Sequence, residues 1–136
     1  MAILLLDTTV ASFLHPKKRG STLRRLYEPH LRDQLLALSF QTVAELFLWG
    51  EQNQWGEPQR HALGLFISRF IVIPYDQDLA RVWARVMNQA RSSGRRLESG
   101  DAWIAATAVH RGITLVTHDM DLAGATVTGL KVICHA

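Results

Sequence analysis

A chain of 136 residues, 48% hydrophobic and 20% charged, has the size of one domain and the balance of an ordinary globule, which excludes a disordered or low-complexity polypeptide. Lysine plus arginine exceed aspartate plus glutamate by 15 to 12, a modest basic excess that suits a polyanionic partner without requiring one. The single cysteine, Cys134, excludes an internal disulfide and any zinc site built on two thiolates, and no segment approaches the ~20 apolar residues of a membrane span. The opening Met-Ala-Ile-Leu-Leu-Leu-Asp has no basic stretch before its apolar run, so it does not read as a secretory signal, and the expected location is the cytoplasm.

Ala2 to Leu6 is a short continuous apolar run closed by Asp7-Thr8-Thr9, the pattern of a strand buried on both faces that feeds a helix. Residues 8 to 14 read as that first short helix, and His15 to Gly20 as a basic turn. Ser21 is placed to cap a helix through about Tyr27, before Pro29 breaks it. Gln34 to Leu38 is a second strand. Ser39 then caps a helix running to about Gly50, with Val43, Leu46, Phe47 and Gly50 on one face. Pro58 opens another at its first position, where Leu63, Phe66, Ile67 and Phe70 recur at helical spacing. Ile71 to Ile73, closed by Pro74, is a β-branched strand. Leu79, Val82, Trp83, Val86, Met87 and Ala90 mark a long amphipathic helix that Ser92-Ser93-Gly94 ends. Asp101 to Val109 is helical in spacing, with Gly112 at the stop. Ile113 to Val116 returns to strand character, a loop carries Asp119 and Asp121, and Leu130 to Cys134 supplies a last edge strand. Strands alternating with helices predict a single α/β domain over residues 1–136, its sheet mostly parallel and covered on both faces.

Four acids stand out against this frame. Asp7 and Asp119 follow strands, at the carboxyl ends where ligands collect in open parallel sheets. Each also has a local reading, as the cap of the next helix or an Asx-turn. Glu45 is the only charge between Asp33 and Glu51, and its apolar neighbours cover nearly the whole helix circumference, so it needs a cation, hydrogen bonds or protonation. Its local alternative is a salt bridge to an arginine. Asp101 opens an otherwise uncharged stretch reaching to Arg111, where the helix dipole alone favours a carboxylate by ~0.3–1 kcal/mol. The predicted topology lets all four point into one crevice. So many carboxylates together repel one another unless divalent cations lie between them, and hard oxygen donors favour magnesium, with manganese next. A metal pair held by carboxylates suits in-line displacement at a phosphodiester. Lys17, Lys18, Arg19, Arg24 and Arg25 form a basic cluster that can follow an RNA backbone, or simply a solvated face.

Four segments carry a resemblance: Leu4-Leu-Leu-Asp7-Thr-Thr-Val, Thr42-Val-Ala-Glu45-Leu, Gly100-Asp101-Ala-Trp-Ile-Ala-Ala-Thr-Ala, and Leu115-Val-Thr-His-Asp119-Met-Asp-Leu followed by Leu130-Lys-Val-Ile. In this order and spacing the chain resembles PIN-domain nucleases, specifically VapC-type toxins of toxin–antitoxin pairs. The resemblance implies a three-layer α/β/α fold on a central sheet of four to five strands. It implies that Asp7, Glu45, Asp101 and Asp119 form a magnesium site, with Thr8 and Thr117 beside it and Asp121 able to share or replace the role of Asp119. It also implies a magnesium-dependent endoribonuclease, inhibited by a cognate VapB-like antitoxin and assembled from a toxin homodimer.

Other residues read more plainly. His118 reads as a surface loop residue, since metal-assisted hydrolysis needs no histidine there. Trp49, Trp83 and Trp103 lie on apolar helix faces and read as core, whereas Trp55, between Gln54 and Gly56, reads as a partner contact. A phosphoacceptor receiver wants paired acids after its first strand and a lysine after a later one, and a haloacid-dehalogenase-type phosphatase wants Asp-x-Asp where this chain has Asp7-Thr8-Thr9. The remaining alternative is a catalytically inactive PIN-fold module that binds RNA or protein, its acids serving stability alone.

Overall fold

The structure is a computed structural model describing residues 1–136. Five strands, β1 (Ile3–Leu6), β2 (Leu35–Ser39), β3 (Ile71–Ile73), β4 (Thr114–Thr117) and β5 (Val132–Cys134), pair in parallel in the order β3-β2-β1-β4-β5. Parallel strands put a crossover helix on one sheet face or the other, so each strand must be apolar in both directions. Leu4, Leu5 and Leu6 meet that demand, none more than 7% exposed. Leu5, Ala37 and Leu115 face one way, against α5 (Gln77–Ser92) and α6 (Ser99–Arg111). Leu4, Leu6, Leu38 and Val116 face the other, against α1 (Thr8–Phe13), α2 (Thr22–Leu31), α3 (Phe40–Gln52) and α4 (Glu57–Ile67). The result is the expected three-layer α/β/α fold, with the sheet parallel throughout. Each fully buried leucine in it stabilises by ~1.5–3 kcal/mol.

The caps follow the local chemistry. Ser39 accepts from the Gln41 and Thr42 amides and so starts α3, and Gly112, at φ +65°, takes the left-handed turn that ends α6. Three expectations are corrected. Helix α2 does not break at Pro29 but runs to Leu31, because a proline in the last turn removes a single backbone bond while Tyr27 and Leu31 bury the helix's inner face. The stretch after Asp119 is not wholly loop, since a short helix α7 (Met120–Ala123) starts there with Asp119 accepting from the Asp121 amide. Trp55 is not an outward partner contact but is 6% exposed. Gln54, at φ +53°, turns the chain back so that the Trp55 ring lies over Gly50, 3.3 Å from where a side chain at Gly50 would begin. No helix is long and apolar enough to cross a membrane.

Candidate active site

The strand order reverses direction at β1: successive strands lie to one side through β2 and β3, and to the other through β4 and β5. A crevice opens at the carboxyl ends of β1 and β4, where the crossovers part, and this is where open parallel sheets bind ligands. Asp7 leaves β1 at that point, and Thr117, His118 and Asp119 leave β4 beside it.

Asp7 is 4% exposed and tied from several sides. One carboxylate oxygen accepts from the Val10 amide at 2.8 Å, which is the N-cap bond of α1, and the other accepts from the Thr117 hydroxyl. The His118 backbone N–H also donates to it. The Thr117 oxygen in turn accepts from the Asp119 amide at 3.0 Å, so one hydroxyl fixes two acids. Burial pushes the Asp7 carboxyl above its ordinary value, the three hydrogen bonds oppose that shift, and nearby Asp119 adds to it. Both readings of Asp7 therefore hold at once: it caps α1 and also lines the crevice.

Glu45 reaches the crevice from α3. Its carboxylate accepts from the Thr8 hydroxyl at 2.9 Å, and that hydroxyl lies 3.1 Å from the hydroxyl of fully buried Thr42. The expected apolar wrapping around Glu45 is only partial: Phe47 and Leu48 stand 48% and 52% exposed, and Glu45 itself is half-buried. A helix buried along one stripe leaves its far side in water even where the residues there are apolar.

Asp101, in the first turn of α6, feels the other acids. Its carboxyl is pushed up to about 6, first by burial and then by the charges of Asp119, Glu45, Asp7 and Glu98. The four acids singled out in the sequence thus converge, and Glu98, at the N-cap of α6, is a fifth. Glu98 carried a readable signal, since it stands three residues before Asp101, but its exposed and polar surroundings gave no reason to pick it out. Asp121 lies exposed on α7, and it is Asp119 whose charge reaches both Asp7 and Asp101.

None of the four joins an ion pair; the chain's pairs are Arg24–Glu28, Arg60–Glu51, Arg81–Asp78 and His110–Asp76. The arginine alternative for Glu45 is therefore excluded. No three His, Cys, Asp or Glu groups close into a finished ligand set as they stand. They form instead a desolvated like-charge cluster with oxygen donors only, a donor chemistry that fits a hard divalent cation.

His118 departs from the surface-loop reading. Its Nδ1 is in a short hydrogen bond with the hydroxyl of Tyr27, which is 1% exposed, lies within 3.2 Å of the Thr117 carbonyl and accepts from the His135 amide at 3.0 Å. Tyr27 therefore anchors the turn that holds Asp7, across 90 residues of sequence. In the sequence it marked only the expected end of the helix that Ser21 starts. The basic cluster divides. Lys18 adjoins Thr8 in a crevice beside Glu45, and Lys17 lies over the Trp55 ring at 5.0 Å. Arg24 pairs with Glu28 and lines a groove with Leu35 and Ile71, at the opposite, amino-terminal end of the sheet. Arg19 and Arg25 are exposed.

An all-parallel sheet with unpaired acids at its switch point matches a known class: the PIN domain matches residues 4–126, and the chain belongs to that family. Among its relatives, Toxin FitB of Neisseria gonorrhoeae is 32% identical over 126 residues, 86% of this chain and 88% of that protein. Ribonuclease VapC5 of Mycobacterium tuberculosis is 45% identical over 65 residues, 48% of each chain. The crystal structure of a member of the VapBC family of toxin–antitoxin systems, VapBC-5 from Mycobacterium tuberculosis, superposes with a TM-score of 0.72 at 27% identity, covering 99% of this chain and 100% of that one.

Proposed function

We propose that this chain is the ribonuclease toxin of a toxin–antitoxin pair, a magnesium-dependent endoribonuclease held inactive by a VapB-like antitoxin. The observation that carries the reading is the cluster of Asp7, Glu45, Asp101 and Asp119, drawn from four separate elements, desolvated at Asp7 and Asp101, and joined to no lysine or arginine. At Asp7 and Asp101, burial and the neighbouring acids make the charged form costly to the fold, which argues against a purely structural role. The inactive-module alternative has no observation in its favour. The names of the relatives, a ribonuclease and a toxin, support the activity, and the toxin–antitoxin system to which the similar structure belongs supports the antitoxin.

Asp7, Glu45, Asp101 and Asp119 are the residues that would hold a divalent cation, magnesium or manganese, which when bound would supply Lewis-acid stabilisation of charge on the phosphodiester and a more acidic water. Thr117 and the His118 amide fix the Asp7 carboxylate before substrate arrives, and Thr8 does the same for Glu45, so little reorganisation is needed when charge develops. Lys18, which lines a crevice with Thr8, and neighbouring Lys17, over the Trp55 ring, attract the RNA backbone. Exposed Phe47, Leu48 and Leu65 on α3 and α4 supply apolar surface for contact with antitoxin or with a second copy in a homodimer. The toxin acts in the cytoplasm, where its RNA substrate is.

The test is incubation of the purified chain, freed of antitoxin, with total RNA in the presence and absence of magnesium, followed by mapping of the cut ends. Asp7→Asn and Asp101→Asn each keep the shape and remove a charge, so they are expected to abolish magnesium-dependent cleavage with an unchanged circular dichroism spectrum. Cleavage by both variants at the wild-type rate would refute the assignment.

A further inference from the structure

Beside Glu45, between α1 and α3, lies a crevice of about 200 Å³ lined by Thr8, Thr9, Ser12, Lys18, Leu46 and Trp49. It shares a wall with the acidic cluster, because the Thr8 hydroxyl that lines it also donates to Glu45. Its chemistry is opposite to that of the cluster. It contains no acid, one lysine, three hydroxyls and an indole.

The indole is held in place. The Trp49 ring stands nearly perpendicular to His15, 74° between planes at 5.1 Å, and inclined to Trp55, 58° at 4.9 Å. Both of those neighbours are buried, so the ring is backed on the core side and cannot withdraw from the crevice it lines. Ser12 donates to the Thr9 carbonyl at 2.6 Å, whereas the Thr9 hydroxyl, the Lys18 ammonium and the Trp49 N–H have no acceptor within the chain. No buried side-chain nitrogen or oxygen lacks a partner, so these donors face solvent. A rigid aromatic wall, free donors and one cation suit a flat ligand with an acceptor-rich edge and an attached phosphate.

We propose that this crevice is a nucleobase subsite, in which Trp49 carries one base of the RNA on its ring face, Thr9 meets an acceptor on the edge of that base, and Lys18 meets an adjacent phosphate. The proposal rests on the nuclease reading and deepens it: the base seated here places the neighbouring phosphodiester at the Glu45 side of the acidic cluster. The crevice therefore sets which base flanks the cut.

The test uses the full chain with fluorescein-labelled single-stranded RNA ten-mers of random sequence, in EDTA so that binding is read without cleavage. Stacking on one aromatic ring corresponds to roughly a five- to hundredfold effect on affinity. Trp49→Leu is thus expected to weaken binding about tenfold or more, and Trp49→Phe to restore most of it. Lys18→Ala, at an exposed residue in no ion pair, is expected to weaken binding and to flatten its salt dependence. With magnesium added, KM should rise in Trp49→Leu by a similar factor while kcat changes far less, and the mapped ends should lose their base preference on one side of the cut. Wild-type binding and wild-type ends in a folded Trp49→Leu would overturn the subsite. If that variant fails to fold, unchanged binding by Lys18→Ala overturns it instead. Loss of antitoxin inhibition with RNA binding intact would assign the crevice to a protein and overturn it too. A wild-type chain that neither binds nor cuts RNA would defeat the nuclease reading itself, whereas a wild type that cuts beside variants that bind normally defeats the subsite alone.

Discussion

Asp101→Asn is expected to make the metal-free protein more stable while destroying its activity. The Asp101 carboxyl sits at about 6 in the folded chain against an ordinary value of 3.8, and each factor of ten in proton affinity corresponds to about 1.36 kcal/mol. The full difference sets an upper bound of about 3 kcal/mol, and solvent screening of a partly exposed side chain reduces it to about 1–2 kcal/mol. Well below pH 4 the carboxyl is protonated in both folded and unfolded chains, so the wild type bears no penalty. As pH rises from about 4 to about 6 the unfolded chain ionises first, and the wild type loses stability. Above pH 6 the penalty is complete and constant. The asparagine variant carries no such charge and should melt about 4–8 °C higher at pH 7 to 8 in EDTA, with the gap closing toward pH 4. Magnesium should narrow or invert the gap, because a ligand that binds only the native wild type stabilises it by mass action. Thermal melts at several pH values in EDTA read this directly. Coincident transitions from pH 4 to pH 8 would show that neither burial nor the neighbouring acids penalise the Asp101 charge.

Two further outcomes follow from the geometry. Thr117→Val removes the hydroxyl that donates to buried Asp7 and accepts from Asp119, so it should cost about 1–3 kcal/mol in urea unfolding and weaken manganese binding measured calorimetrically; wild-type manganese affinity would show that Thr117 does not organise the site. The double change of Lys17 and Lys18 to alanine should weaken RNA binding and flatten its salt slope more than Arg24→Ala, since Arg24 is engaged with Glu28 at the far end of the sheet. An equal loss from both would place the RNA path elsewhere.

The parts of this fold that the sequence made legible are those whose causes are local. Continuous apolar runs such as Ile3–Leu6 demand cover on two faces, Ser39 and Gly112 state their helix ends, and the acids at strand ends follow from the alternation of strand and helix. What stayed hidden depends on partners far along the chain. Tyr27 marked only the expected end of a helix, and nothing near it in sequence reveals that its hydroxyl meets Thr117, His118 and His135. Trp55 misled because its polar neighbours suggested water, whereas the turn at Gln54 folds it back onto Gly50. The Pro29 break assumed that a local rule wins. In the final turn of a helix, burial of Tyr27 and Leu31 outweighs one missing bond. The basic cluster was contiguous in sequence, yet a turn and a helix carry Lys18 and Arg24 to opposite ends of the sheet.

The hydroxyl of Thr117 and the carboxylate of Asp7 meet across 110 residues. During translation Asp7 therefore emerges early and remains unorganised until the fourth strand has left the ribosome, since closing so distant a contact must await both ends. Nascent fragments that stop short of that strand have no assembled centre, so a cell making this protein is not exposed to RNA cleavage by its incomplete products.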